Sequence, residues 1–247
     1  MMKIEEYEIM YNVEESHWWY LGMQKITTAV LERWYQPGSG LRILDAGCGT
    51  GAHITSYLAN YGEVIGMDAS QVALHYSKKR QIKTLLQASI DDFPICSGTF
   101  DLVTSFDVLY YARNDFETLL EFKRVLKKDG RLLLRLPAYK WLKGSHDKAV
   151  DIKRRYTARQ VSSLLEQAGF VVEHSSYANT FLFPFAILKR ILDRLINRKD
   201  VSSDLTTDFG SLNQLLKHIL MLESGLVKNQ CLPYGLTVVA VGKKAQE

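Results

Sequence analysis

Short apolar runs alternate with segments of helical apolar spacing along most of this chain. Four stretches, at residues 43–46, 63–67, 100–106 and 131–136, are expected to be strands, and the first is a short apolar run that ends at an acid, as buried parallel strands typically do. Between the last two, apolar residues fall at helical intervals across 119–127. Strands that alternate with helices indicate an α/β fold built on a parallel sheet.

The rest of the chain extends this pattern at both ends. Residues 1–36 are expected to be helical, Thr157 to begin a helix as its N-cap, a sixth strand to start near Val171 and a last strand to cover 235–241. We therefore predict one domain over residues 1–247. Its parts are an N-terminal helical lid (1–36), the core (37–180), a helical insertion (181–233) and the final strand (234–247).

The first strand runs into an unusual bend, in which Asp45 is followed by glycines at 47, 49 and 51. Glycine has no Cβ, so this backbone can turn sharply and lie against a ligand. The spacing Gly47-x-Gly49-x-x-Ala52 also satisfies the dinucleotide fingerprint, with Asp68 as the later acid. Asp45 opposes that reading, because a carboxylate beside a pyrophosphate is unfavourable whereas one beside a cation is favourable.

The stretch 43–51 resembles motif I of the class I S-adenosylmethionine (SAM)-dependent methyltransferases. Two further stretches, 100–107 and 124–132, resemble that family's fourth strand and the segment before its fifth. His146-Asp147 followed by 154–157 (Arg-Arg-Tyr-Thr) is similar to a bacterial subgroup of type 11/12-like enzymes that act on small molecules. The resemblance implies a Rossmann-like, doubly wound, mostly parallel seven-stranded sheet with an antiparallel last strand.

The same resemblance implies which residues hold SAM. They are the motif I residues Asp45, Gly47 and Gly49, the ribose-binding Asp68 with Ala69, the adenine-binding Ser89, Ile90 and Asp91, and Asp107 beside the methyl group. The chain departs from the family at two places. Ser89 stands where an aspartate is usual, and Gly22-Met23-Gln24 stands where many members have an arginine for the SAM carboxylate.

The aromatic run Trp18-Trp19-Tyr20 admits two interpretations. Neighbouring residues on a helix point about 100° apart, so three adjacent aromatics cannot all face one core. They are either a pair of core side chains with an exposed third, or a lid over the ligand. In the resembled family such a run covers the SAM site, so we favour the lid, and Tyr20 becomes a candidate catalytic residue.

His146 is the other catalytic candidate, because histidine titrates near neutral pH and Asp147 could orient it. Methyl transfer is an in-line displacement that needs a general base only where the nucleophile carries a proton. The alternative for His146 is a loop histidine hydrogen-bonded to the backbone. Arg155 and Tyr156 are expected to hold this loop.

Composition restricts the function further. A net charge of +4 over 247 residues is too slight to indicate nucleic-acid binding. Three cysteines without a C-x-x-C pair indicate a reducing cytoplasm, with neither disulfides nor zinc, and no metal-binding spacing is present. Neither a signal peptide nor an apolar run of transmembrane length is seen. The expected partners are thus a small-molecule substrate and no nucleic acid, with the chain a monomer or a homodimer.

The helical insertion contains two amphipathic segments, and the first, at 184–199, carries basic residues beside its apolar face. It could form a cap over the substrate, a contact with an anionic membrane, or a surface packed on the core or on a second subunit. We favour the cap or a dimer surface over the membrane.

Together these features predict an enzyme that transfers the methyl group of SAM to an O, N or C nucleophile of a small molecule, a natural product or glycan-related metabolite, and releases S-adenosylhomocysteine. Two alternatives stay open. One is a SAM-binding protein without transferase activity, and the other is an NAD(P)-dependent oxidoreductase that uses the same glycine bend.

Overall fold

The computed structural model describes residues 3–144, 147, 150–195 and 210–245. The strands are β1 (Leu41–Ala46), β2 (Gly62–Asp68), β3 (Leu85–Gln87), β4 (Phe100–Phe106), β5 (Leu126–Pro137), β6 (Phe170–Ala178) and β7 (Thr237–Lys244). The helices are α1 (Ile4–Val13), α2 (Trp18–Leu31), α3 (Ala52–Ser56), α4 (Gln71–Lys79), α5 (Asp115–Val125), α6 (Ala158–Gln167), α7 (Phe183–Leu195) and α8 (Ser211–Asn229).

All seven strands form one sheet in the order β3-β2-β1-β4-β5-β7-β6. Strands β1 to β5 run parallel, while β7 lies antiparallel between β5 and β6. This confirms the predicted Rossmann-like sheet and its antiparallel last strand. The chain order reverses between β1 and β4, so the carboxyl ends of these strands border the crevice where open α/β sheets bind ligands.

Local sequence accounts for most element boundaries. Thr157 accepts a hydrogen bond from the N–H of Gln160, which returns one through its side chain, so the predicted N-cap of α6 is confirmed as a capping box. Helix α5 ends at Val125, two residues earlier than predicted. Strand β5 begins at the next residue, Leu126, because Leu126 pairs with Phe100 of β4. The register between the two strands shifts after this pair, and Leu102 pairs with Arg131.

The two helices of the insertion behave differently. Helix α8 joins the core, where Leu220 packs so closely on α2 that a Cβ at Gly22 would lie 2.4 Å from it. The apolar side chains that share one face of α7 are exposed: Phe185, Leu188, Ile191 and Leu192. In the part of the chain that is described, no helix has the length and apolar character needed to cross a bilayer.

Glu223 fastens α8 to the end of β6. It is fully buried and accepts the backbone N–H groups of Thr180 and Phe181 at 2.9 and 3.1 Å. Burial raises the pKa of this carboxyl. Two backbone donors in the core would thus lose their acceptor if the side chain were shortened.

We expect Glu223→Ala to lower the free energy of unfolding by about 2 kcal/mol, the cost of leaving buried donors unsatisfied. Glu223→Gln keeps a carbonyl oxygen for these donors and should cost less than half as much. Urea denaturation of both variants measures the difference. Equal losses would show that the charge, rather than the acceptor, holds α8 in place.

Candidate functional site

The glycine bend lies at the carboxyl end of β1 and leads into α3. Its glycines all have positive φ values: +84° at Gly47, +56° at Gly49 and +84° at Gly51. L-residues rarely adopt this region, which explains why the bend uses glycine. The bend is tied to β2 through the N–H groups of Gly47 and Cys48, which both donate to the carbonyl of Met67.

The chain's own side chains approach the bend closely. A Cβ at Gly47 would lie 2.2 Å from Val108 Cγ2, and one at Gly49 would lie 3.2 Å from Met10 Cε. At Gly51 the obstacle would be Ile82, at 2.2 Å. These glycines therefore serve internal packing, in addition to any ligand that the bend receives.

Asp45 is the penultimate residue of β1 and is only 1% exposed. Its two carboxylate oxygens have different environments. Oδ1 accepts the hydroxyl of Thr104 at 2.7 Å, whereas Oδ2 is buried without a hydrogen-bond partner in the described structure. Burial raises the pKa of Asp45 to about 7. An unpartnered buried carboxylate oxygen is costly, and a cationic ligand would satisfy it.

Asp68 ends β2 and is used partly by the protein itself. Its Oδ2 accepts the N–H of Gly49 at 2.9 Å, and its Oδ1 accepts the N–H of Ser70 at 2.8 Å. Burial raises the pKa of this carboxyl, against the effect of these bonds. Asp68 thus connects the glycine bend to the residues that begin α4. A carboxylate can accept about four hydrogen bonds, so this group can also accept one from a ribose hydroxyl.

The segment expected at adenine forms a compact turn after β3. The hydroxyl of Ser89 accepts the N–H of Asp91 at 3.1 Å, and Ile90 is buried in the core. Asp91 accepts the N–H of Arg113 at 2.9 Å. Ser89 and Asp91 are therefore both engaged locally, and their contact with adenine stays a prediction.

Asp107 follows β4 with a φ of +58°, a strained conformation for a residue other than glycine. Its Oδ2 accepts Arg135 Nε at 2.7 Å. Arg135, only 3% exposed, also contacts the ring nitrogen Nε2 of His53 through Nη2 at 3.2 Å. Burial lowers the pKa of His53 well below its usual value, so the ring is neutral and accepts this hydrogen bond.

Helix α1 lies across the glycine bend and is fixed there by Arg80. This guanidinium donates to the carbonyls of Tyr11 and Thr50, both at 3.1 Å, and forms ion pairs with Glu14 and Glu15. Glu14 in turn accepts the hydroxyl of Thr50. Burial raises the pKa of Glu14 to about 7. The N-terminal segment is thus attached to the candidate site through polar contacts.

Arg80→Gln should release α1 from the bend, because each lost hydrogen bond to a charged group is worth about 1.5–3 kcal/mol. We expect backbone hydrogen exchange in α1 to accelerate by about tenfold or more, with little change in the strands. Lys78→Gln, at an exposed neighbouring position, is the matched control. Unchanged protection of α1 in the Arg80 variant would contradict this role.

The aromatic run is divided between two environments. Trp18 and Trp19 pack against the core cluster that includes α2 and α8. The ring of Tyr20 stands edge-on to Trp19, with centroids 5.0 Å apart. Burial of its hydroxyl raises the pKa of Tyr20 well above the usual value. Tyr20 therefore stays protonated at neutral pH and is suited to orient a group by hydrogen bonding, not to remove a proton.

The second catalytic candidate, His146, lies outside the described residues. Asp147, predicted to orient it, is fully buried in an ion pair with Arg155 at 2.5 and 3.0 Å. Arg155 also donates to the carbonyl of Ala138, and Tyr156 donates to Asp115. The predicted role of Arg155 and Tyr156 in holding this loop agrees with these contacts.

Two residues of the site were missed by the sequence reasoning, Arg135 and Glu14. Arg135 interrupts the apolar run Leu132–Leu136 of a strand that must be buried, and a charge in such a run is a signal for a functional site. The only sequence signal for Glu14 was its position just before the aromatic run. Over the described ranges, no group of three or more His, Cys, Asp or Glu side chains is placed to hold a metal ion.

Comparisons with known proteins agree with this architecture. Residues 44–134 match the family described as "Methyltransferase domain". A tRNA U34 carboxymethyltransferase of Methylococcus capsulatus is 36% identical over 112 residues, which are 42% of this chain and 34% of that protein. Several other relatives carry the same name, and two of them match over 103 and 153 residues. The chain spans between 32% and 46% of the lengths of these three relatives.

Two solved structures share the fold over nearly the whole chain. One belongs to a complex between the Haloferax volcanii Trm112 methyltransferase activator and a methyltransferase; its TM-score is 0.62 at 18% identity, covering 98% of both chains. The other is a SAM-dependent methyltransferase from Thermotoga maritima, with a TM-score of 0.60 at 16% identity, covering 98% of this chain and 96% of that one.

These relatives overturn the predicted set of partners. We expected no nucleic acid, and the relatives named for tRNA show that the exclusion is wrong. The physical reason is that a net charge of +4 averages over the whole surface, whereas an acceptor is recognised by a small part of it. The sheet order confirms the predicted fold, and the matched residues 44–134, which include the glycine bend and its acid, are similar to the methyltransferase domain family.

Proposed function

We propose that this chain binds SAM in the crevice between β1 and β4 and transfers its methyl group to an O, N or C nucleophile. The observation that carries the proposal is Asp45, whose Oδ2 is buried without a partner in the described structure. SAM offers an ammonium and a sulfonium, either of which is attracted to that oxygen. SAM also supplies an activated methyl group that leaves a neutral thioether behind.

The proposed contacts follow the sheet edge. Asp45 receives the ammonium, the backbone of Gly47 and Gly49 lies against the amino-acid part, and Asp68 with Ala69 receives the ribose. The turn at 89–91 (Ser89, Ile90 and Asp91) adjoins adenine, and Asp107 borders the methyl group. The chain's contribution to the reaction is to bind and align the two reactants and to exclude water, which α1 supports by covering the bend.

The acceptor is proposed to enter beside β5 and β6. Tyr139, the second residue after β5, has a φ of +53° and stacks on Tyr177 with centroids 5.1 Å apart and rings 13° from parallel. Phe183 and Trp141 lie 5.6 Å from the Tyr139 ring. Aromatic rings favour flat partners, so we propose a planar acceptor. A small aromatic molecule and a nucleobase of RNA both meet this description.

Two residues are proposed to act on the acceptor. Tyr20 would orient it through its hydroxyl, and His146 would accept a proton where the nucleophile carries one. We propose a cytoplasmic location, since Cys48, Cys96 and Cys231 are free thiols.

Calorimetry with SAM, S-adenosylhomocysteine and NADH tests the cofactor. We expect the two adenosyl ligands to bind at micromolar strength and NADH to bind at least 100-fold more weakly. Tight NADH binding without SAM binding would overturn the proposal and favour an oxidoreductase.

Incubation with methyl-labelled SAM tests the transfer, using bacterial tRNA and a protein-free metabolite extract as separate acceptor pools. Label in tRNA would assign a nucleic-acid acceptor, and label in the extract would assign a small molecule. SAM binding with no label in either pool would favour the binding protein without transferase activity.

A further inference from the structure

Arg135 is an unusual residue for its position. It lies in β5, a central strand, between Leu134 and Leu136, and only 3% of its surface is exposed. Its guanidinium lies over two aromatic rings, 5.3 Å from the centroid of Trp19 and 4.9 Å from that of Phe106. A charge buried in a sheet is costly unless it is paired, so its partners are informative.

Only some of the N–H groups of the Arg135 guanidinium donate hydrogen bonds to other residues in the described part of the chain. Nε donates to Asp107 Oδ2 at 2.7 Å, and Nη2 donates to the neutral ring of His53 at 3.2 Å. Nη1 has no hydrogen-bond partner among the described residues. A guanidinium binds a carboxylate best through two parallel N–H groups, and Nη1 is available as one of these.

Two other places where an anion could be held in this crevice are unfavourable in the described structure. The α2 stretch where related enzymes have an arginine reads Gly22-Met23-Gln24, and a larger side chain at 22 would collide with Leu220. Gln24 donates to the carbonyl of Ser56 instead. Helix α3, which follows the bend, has five residues, too few for a strong helix dipole.

We propose that Arg135 binds the α-carboxylate of SAM, while Asp45 binds the adjacent ammonium. The proposal rests on the proposed function and names a residue of that same site. Arg135 is among the charges that act on Asp45, and the two residues lie near the carboxyl ends of β5 and β1, the strands on either side of β4. Arg135 and Asp45 would thus each bind one of the two opposite charges on the amino-acid part of SAM.

The test compares S-adenosylhomocysteine with its decarboxylated analogue by calorimetry. We expect Arg135→Met to weaken binding of S-adenosylhomocysteine by about 10- to 100-fold, the scale of a charge-assisted hydrogen bond, and to change binding of the analogue less than threefold. Arg135→Lys keeps the positive charge but loses the two parallel N–H groups of the guanidinium. It should therefore weaken binding of S-adenosylhomocysteine by about fivefold or more and leave binding of the analogue nearly unchanged. Should the methionine variant fail to fold, the lysine variant decides the question.

Arg131→Met is the matched control. Arg131 lies on the same strand, four residues away, and pairs with Glu173 at 2.6 Å. Its replacement should leave both affinities unchanged. Equal losses for the two ligands in the Arg135 variants, or no loss, would overturn the carboxylate assignment while leaving the proposed function intact. Failure of the wild-type protein to bind either ligand would overturn both.

Discussion

Asp45→Asn is expected to weaken SAM binding by about 1.5–3 kcal/mol, or roughly 10- to 150-fold, the value of a hydrogen bond to a charged group. Asparagine has nearly the same shape and keeps an oxygen for the Thr104 hydroxyl, which donates to Oδ1 at 2.7 Å. The variant therefore removes the charge that faces the ligand without emptying the site. Calorimetry with SAM measures the change directly.

Two observations make this test specific. Asp92→Asn, at an exposed position after β3, is the matched control and should bind SAM like the wild type. The Asp45 variant should also keep its fold, because replacing a buried carboxylate whose Oδ2 has no partner in the described structure with a neutral amide relieves a desolvation penalty. A folded Asp45→Asn protein with unchanged SAM affinity would remove Asp45 from the binding site.

The same residue predicts a dependence on pH. Burial raises the pKa of Asp45 from 3.8 to about 7 in the folded protein. The folded state therefore holds a proton that the unfolded state releases, so this group stabilises the ligand-free protein most below pH 3.8. That contribution is lost as pH rises through about 7. Binding of a cation should show the opposite trend and strengthen up to about pH 7.

Asp45→Asn should remove the contribution of this carboxyl to the pH dependence of stability and to that of ligand binding. Glu14, whose pKa burial also raises to about 7, changes stability in the same direction and remains in the variant. The ligand-free slope should thus diminish rather than vanish. A wild-type affinity for S-adenosylhomocysteine that is flat between pH 5.5 and 8 would contradict the assignment of a raised pKa to a residue that contacts the ligand.

The sheet and the glycine bend were predictable because each depends on local pattern. Apolar runs that end in acids mark strands, and alternate glycines mark a bend, so β1 and β2 were found within a few residues. Strand β4 was found through its resemblance to the family's fourth strand. The antiparallel β7 was different, since nothing in its own residues shows which neighbour it pairs with. That feature followed from the resemblance to a family and was confirmed by the structure.

The parts that were not predictable depend on contacts distant in sequence. The spacing of α7 showed which of its side chains share a face, but spacing cannot show what covers that face, and Phe185 proves to be 71% exposed. Arg135 and Asp107 are 28 residues apart, and their pairing follows only from the register of β4 with β5. Glu14 likewise meets Thr50 only once α1 crosses the bend.

Gly47→Ala is expected to lower the free energy of unfolding by about 3 kcal/mol or more. The positive φ alone costs an L-residue roughly 1–2 kcal/mol. The new Cβ would also lie 2.2 Å from Cγ2 and 2.6 Å from Cγ1 of Val108. Rotation of that branched side chain cannot clear the contact, because its Cβ would itself be 2.9 Å away. Overpacking of this kind adds roughly 1–3 kcal/mol.

Two further variants separate the causes of this loss. Gly38 has a nearly identical φ of +83° with nothing within 4 Å of its added Cβ, so Gly38→Ala should show the backbone cost alone. Adding Val108→Ala to Gly47→Ala removes the two closest contacts and should restore part of the stability, because only the 2.9 Å contact and the backbone cost remain. Equal losses in the Gly38 and Gly47 variants would mean that Val108 does not confine the bend, and the glycine at 47 would then be explained by its φ alone.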